Sequence, residues 1–118
     1  MPRDPQRWTA APLEPDLFRC EVARERGTVH VRALGELDLA TVPILEAELA
    51  ALRDARVEHL VLDLSDLEFM DLSGLRSIVA FGRTARREGF SFAIVRGPRT
   101  VQRMFEMTNT DADLPFIG

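Results

Sequence analysis

The segment Asp71-Leu72-Ser73-Gly74 contains Ser73, the hydroxyl residue whose position in the chain is best suited to a chemical role. It follows an apolar strand and a connector, and it stands just before a predicted helix. Free backbone N–H groups and the positive end of the helix dipole gather at such a position, where they favour oxygen acceptors and anions. On these residues alone, either Ser73 or Asp71 serves as the N-cap that accepts a bond from one of those amides.

Nucleophilic catalysis by Ser73 lacks the partners that it needs. A serine hydrolase places its nucleophile in a Gly-x-Ser-x-Gly elbow within reach of a general base, and that elbow is absent. The two histidines, His30 and His59, lie in predicted strands, where we expect a structural role. We therefore assign no catalytic residue and expect no enzymatic activity.

Acidic residues surround the same segment and raise two further possibilities. A metal site could form from four of them: Asp63, Asp66, Glu68 and Asp71. We favour a solvated acidic connector instead, and one cysteine with two histidines argues against zinc. A receiver domain with Asp63 as its phosphoacceptor is excluded, because such sites need a lysine and the chain has none. We expect neither a metal nor a cofactor.

Composition narrows the class of protein further. A chain of 118 residues with 46% hydrophobic content suits one domain with a real core. The net charge of −4 argues against direct nucleic-acid binding, which needs a basic surface. No apolar run approaches the roughly 18 residues that cross a bilayer, so no membrane contact is expected. The single cysteine excludes an internal disulfide and favours a cytoplasmic protein.

The hydrophobic pattern predicts strands alternating with helices after an initial hairpin. Residues 1–16 contain four prolines and are predicted to form a flexible tail. This tail contains Trp8, the only tryptophan. The predicted strands are Leu17–Val22, Thr28–Leu34, His59–Leu64, Phe90–Val95 and a short closing strand within Leu114–Ile117. The predicted helices begin near Pro43 and just after Gly74, and the last spans about Arg99–Met107.

Between these elements, the sequence predicts that Gly35–Asp38 leaves the sheet and that Ser65–Met70 is a connector without a strand. The order β-β-α-β-α-β-α-(β) indicates an α/β fold, a mixed sheet with helices packed on it. We assign residues 17–118 to this single domain.

Three motifs in the right order resemble the STAS domain family. The apolar strand ending in Asp63, followed by Phe69-Met70-Asp71-x-Ser73-Gly74-Leu75, is similar to the family's strand and Asp-Ser-Ser-Gly-Leu turn. Gly35-Glu36-Leu37-Asp38 resembles its earlier Gly-x-Leu-Asp element, and residues 101–108 resemble its last helix. The resemblance implies the STAS fold.

By this resemblance, Ser73 falls on the family's phosphorylation site. The implied function is that of an anti-sigma factor antagonist, which binds an anti-sigma factor that is also a serine kinase. Phosphorylation breaks that contact and a serine phosphatase restores it. We expect the partner-binding surface around Ser73 to consist of Asp38, Asp71, Leu72, Gly74 and Leu75.

One position departs from the family's pattern, because Leu72 replaces the first serine of the turn. As an apolar residue in a predicted loop, Leu72 is expected to contact a partner. The departure also keeps open an alternative within the same fold: a non-phosphorylated STAS module that binds partners or ligands in a transport or signalling complex.

Overall fold

A computed structural model describes residues 17–118, which form one mixed sheet with three helices. The predicted tail, residues 1–16 with Trp8, lies outside the described residues. The strands are β1 (Phe18–Glu25), β2 (Thr28–Leu37), β3 (His59–Asp63), β4 (Leu67–Met70), β5 (Ser91–Val95) and β6 (Phe116–Ile117). The helices are α1 (Val42–Asp54), α2 (Leu72–Glu88) and α3 (Arg99–Met107), and a 3-10 turn spans Asp111–Asp113. The predicted α/β fold is confirmed.

The predicted hairpin is formed by β1 and β2, which pair antiparallel along their length. Arg26 and Gly27 form its two-residue turn and both have positive φ, at 53° and 82°. Two successive positive φ values match the right-handed twist of the flanking strands, and glycine adopts the second without strain.

All strands beyond the hairpin run parallel to their neighbours. The sheet order is β1-β2-β3-β5-β6, and β4 pairs with β2 where β3 has ended. Alternate residues of these strands are buried under the helices and form the core together with residues from the helices. The fully buried side chains on the sheet include Val31, Leu37, Leu60, Leu62, Leu67 and Ile94.

Two predictions about the middle of the chain are wrong. Gly35 to Leu37 remain in β2 instead of leaving the sheet, and the predicted connector contains β4. Beyond the end of β3, the last residues of β2 still need partners for their backbone groups, and β4 supplies them. Burial of Leu67 and Met70 holds β4 in place, and a register shift after Gly35 lets β2 bend toward it.

The helices match their predicted faces closely. Leu45, Leu49 and Leu52 are buried along α1, as the spacing of the leucines predicts. Helix α2 ends at Gly89, whose φ of 81° is the left-handed cap conformation, and α3 has its predicted bounds. The start of α2 differs from the prediction, because Leu72, Ser73 and Gly74 already lie in its first turn. None of the described helices is long and apolar enough to span a membrane.

Candidate functional site

Asp71 joins two neighbouring segments at the start of α2. One of its carboxylate oxygens accepts a hydrogen bond from the backbone N–H of Gly74 at 3.1 Å, which makes Asp71 the N-cap. The other oxygen accepts from the backbone N–H of Leu39 at 3.3 Å. The carboxylate therefore ties the loop after β2 to the first turn of α2. Of the two N-cap candidates in the sequence, the structure selects Asp71.

Ser73 lies in the first turn of α2, two residues after that cap. Its side chain is half-buried, so part of it faces solvent. Because Asp71 already supplies the side-chain cap, the fold does not require the hydroxyl of Ser73 for that purpose. The amides of the first turn and the helix dipole favour negative charge here.

A second hydroxyl of α2 lies one turn further along. Ser77 is only 8% exposed, and its hydroxyl donates to the Glu46 carboxylate of α1 at 2.9 Å. It thereby links the two helices. Ser73 is thus the more accessible of these two hydroxyls.

Asp38 organises the loop that leads from β2 into α1. One carboxylate oxygen accepts from the backbone N–H groups of Ala40 and Thr41, at 3.0 and 3.1 Å. The Thr41 hydroxyl closes the loop by accepting from the Asp38 N–H at 2.9 Å and donating to the Glu36 carbonyl at 2.8 Å. Asp38 lies beside the site, and its carboxylate is engaged in holding this loop.

Gly74 and Leu75 face the core instead of the surface. A methyl group at Gly74 would approach Met70 Cγ to 2.8 Å and Leu37 Cδ2 to 2.9 Å, so the site accepts only hydrogen without movement. Leu75 is 4% exposed and belongs to the core. The absence of a side chain at Gly74 lets α2 pack closely on β2 and β4, and Leu75 fills part of the core. Neither residue presents a side-chain surface to a partner.

Three exposed apolar side chains lie on segments that adjoin the start of α2. Leu39 is 76% exposed, and its backbone N–H donates a hydrogen bond to the Asp71 carboxylate. Leu72 in the first turn of α2 is 43% exposed. Phe69 of β4, two residues before Asp71, is 49% exposed. Exposed side chains of this size on neighbouring segments are typical of a protein-binding surface. We call Leu39, Phe69 and Leu72 the apolar rim.

Leu39 and Phe69 are absent from the site predicted from sequence. The signal for Leu39 was its position directly after Asp38, in a motif already singled out. Phe69 was placed in a connector, where its direction could not be inferred. Once β4 pairs with β2, Phe69 lies in register with Glu36 and away from the core.

The four acidic side chains considered for a metal site have different partners and do not form one cluster. Asp63 accepts from Ser65, and Asp66 pairs with Arg32 at 3.4 Å. Asp71 caps α2, and Glu68 is exposed on β4. Within residues 17–118, no three acidic, histidine or cysteine side chains are grouped as metal ligands would be.

Comparison with known proteins gives consistent matches. The family model described as "Mlab, STAS domain" matches residues 20–117. An anti-sigma F factor antagonist from Paenibacillus polymyxa is 31% identical over 99 residues, which are 83% of this chain and 85% of that protein.

Solved structures of similar proteins share the fold. An anti-sigma factor antagonist from Mycobacterium paratuberculosis is 29% identical, with a TM-score of 0.76 and 86% of each chain covered. The Bacillus cell fate determinant SpoIIAA, solved in a phosphorylated form, is 22% identical with a TM-score of 0.64. That match covers 86% of this chain and 91% of the other.

Proposed function

The chain belongs to the STAS domain family, and from this premise we propose that it is a cytoplasmic anti-sigma factor antagonist switched off by phosphorylation of Ser73. The unphosphorylated form binds an anti-sigma factor that is also a serine kinase, and so releases a sigma factor. A serine phosphatase restores the binding form. The relatives named as antagonists match over most of their length, which supports this role.

One observation carries the assignment of the switch to Ser73. The hydroxyl is partly exposed in the first turn of α2, while Asp71 already fills the capping role. A phosphate added there interacts favourably with the backbone N–H groups of the first turn and with the helix dipole. The domain therefore tolerates the phosphate without unfolding. SpoIIAA, which shares this fold, has been solved in a phosphorylated form, and this is consistent with that tolerance.

The same phosphate acts differently on a bound partner. It adds about −1.5 to −2 charge two residues after Asp71 and next to Leu72, one member of the apolar rim. A partner surface that covers Leu39 and Leu72 must then desolvate that charge next to apolar groups. A cost of about 3 kcal/mol weakens binding about 100-fold, at 1.4 kcal/mol per decade of affinity.

Phosphotransfer measured by intact mass tests this proposal. The anti-sigma factor is first recovered from the native cell by pull-down with the unphosphorylated protein, and it is then incubated with this protein and ATP. We expect one phosphate on the wild type and on Ser65→Ala, which removes a more exposed serine, and none on Ser73→Ala. Equal phosphate on Ser73→Ala and wild type contradicts the assigned site. No phosphate on wild type under an active kinase favours the non-phosphorylated module.

A further inference from the structure

A cleft separates the second half of α2 from the C-terminal segment of the chain. Strand β6 pairs only with the last two residues of β5, Ile94 and Val95, so the earlier edge of β5 has no strand of residues 17–118 beside it. Residues 112–115, which follow α3, form the far wall of the cleft. We call this space the edge cleft, and the residues that line its other sides are Gly82, Ala85, Arg86, Phe90 and Phe92.

Small residues of α2 create the space. Gly82 and Ala85 lie one turn apart on the buried side of the helix, where larger side chains would fill the cleft. A methyl group at Gly82 would approach Leu114 Cδ2 to 2.9 Å, so Leu114 packs directly against the helix. The edge cleft has a volume of about 280 Å³. A cavity of about 150 Å³ holds benzene, so this cleft has room for about ten non-hydrogen atoms.

The inner wall of the edge cleft is aromatic. Phe92 is buried and Phe90 is half-buried, and both rings pack against Phe81 of α2, with centroid distances of 5.0 and 5.6 Å. Contact with a shared third ring holds the two cleft rings in position, so this wall exists before any ligand binds. A preformed apolar wall with a few polar groups at its edge is typical of a small-molecule site.

Arg86 supplies a positive charge at the mouth of the cleft. Its Nη1 donates to the backbone carbonyl of Asp113 at 3.2 Å, which places the guanidinium between α2 and the 3-10 turn. Within residues 17–118 Arg86 makes no other hydrogen bond and no ion pair, so most of its five N–H donors are available. Arg83 lines a smaller cavity that shares Arg86, and these two cations outnumber the one carboxylate present, that of Asp113.

We propose that the edge cleft binds a small apolar monocarboxylate of about ten non-hydrogen atoms. Its hydrocarbon part lies against Phe90 and Phe92, and its carboxylate accepts hydrogen bonds from the Arg86 guanidinium, whose planar fork matches a carboxylate. The site is separate from Ser73, because 13 residues of helix place Arg86 about 20 Å along the axis of α2. It does not depend on the proposed function.

NMR titration of the full, ¹⁵N-labelled chain with octanoate provides the test, with octan-1-ol as the uncharged probe. We expect saturable shifts at the amides of Ala85, Phe92 and Leu114. Affinity should rise with chain length from butanoate to octanoate, by up to about fourfold for each methylene. The alcohol should bind about tenfold more weakly, because it lacks the charge-assisted hydrogen bonds to Arg86.

Three variants test the charges at the mouth. Arg86→Met keeps an apolar stem and removes the guanidinium, so it should weaken octanoate binding about tenfold. Asp113→Asn keeps the backbone carbonyl that Arg86 uses and removes a negative charge, so it should strengthen binding. Arg87→Met makes the same change at the next residue, an exposed arginine that does not line the cleft, and should leave the affinity unchanged. Circular dichroism checks that each variant is folded.

Each remaining outcome contradicts the proposal. Equal affinity for octanoate and octan-1-ol would show that apolar contact alone drives binding. Shifts confined to residues away from the edge cleft would assign the carboxylate to another surface. Equal losses in Arg86→Met and Arg87→Met would reduce the effect to net charge. The absence of saturation at millimolar octanoate would show that the cleft holds only water.

Discussion

Replacing Asp71 by alanine and by asparagine separates its two hydrogen bonds. Alanine removes both the bond from Gly74 N–H and the bond from Leu39 N–H. Asparagine retains one acceptor oxygen, and asparagine caps helices as well as aspartate does. Because its other terminal atom is a donor, asparagine cannot hold the Leu39 amide at the same time.

The expected losses follow from these bonds. Loss of a helix cap costs about 1 kcal/mol, and loss of the partly exposed bond to Leu39 costs a further ~0.5–1 kcal/mol. Asp71→Ala should therefore lower the free energy of unfolding by about 1.5–2 kcal/mol. For a domain of this size, this lowers the Tm by about 6–8 °C, at about 4 °C per kcal/mol. Asp71→Asn should lose only the contribution of the bond to Leu39, about 0.5–1 kcal/mol.

Urea denaturation of both variants measures these losses, and amide hydrogen exchange identifies which bond is broken. We expect the Leu39 amide to lose protection in both variants and the Gly74 amide to lose it only in Asp71→Ala. Equal stability of Asp71→Ala and wild type, or unchanged exchange at Leu39, would refute the role of Asp71 as a tie between the two segments.

Further predictions concern packing, binding and reactivity. Gly74→Ala should lower the free energy of unfolding by about 1–3 kcal/mol in urea denaturation, because the added methyl meets Leu37 and Met70; wild-type stability would show that α2 shifts freely. Leu72→Ser and Leu39→Ala should weaken binding of the anti-sigma factor in calorimetry with nearly unchanged Tm; a large loss of Tm would place these side chains in the core instead. Burial, with the nearby Glu48 charge, raises the pKa of Cys20 to about 11, so its alkylation rate should still rise between pH 9 and 11 in the folded protein; a plateau near pH 9 would contradict this burial.

The fold could be predicted from sequence wherever local patterns carried the information. The leucine spacing of α1, the glycine after Glu88 and the apolar stripe of α3 each specify an element through neighbours along the chain. Strand β4 could not be predicted in this way. Its four residues have no clear alternation, and its pairing with the end of β2 depends on where β3 stops, which is a non-local property.

The candidate site was predicted in part for the same reason. Asp71 and Ser73 were found because a helix start has a local signature. The inward direction of Gly74 and Leu75 depends on how α2 packs on β2 and β4, and the start of α2 at Leu72 fixes that direction. The position of Leu39 beside the start of α2 involves a hydrogen bond from its backbone N–H to Asp71, 32 residues away, which no local pattern encodes.

The affinity of the purified anti-sigma factor for the two forms of this protein tests the central claim most directly. Wild type and the singly phosphorylated protein, with phosphate located on Ser73 by fragmentation, are titrated at equal salt concentration. We predict a Kd at least about 100-fold higher for the phosphorylated form, from the ~3 kcal/mol estimated above, and recovery of the original Kd after phosphatase treatment. Equal Kd values for the two forms would contradict a switch at Ser73.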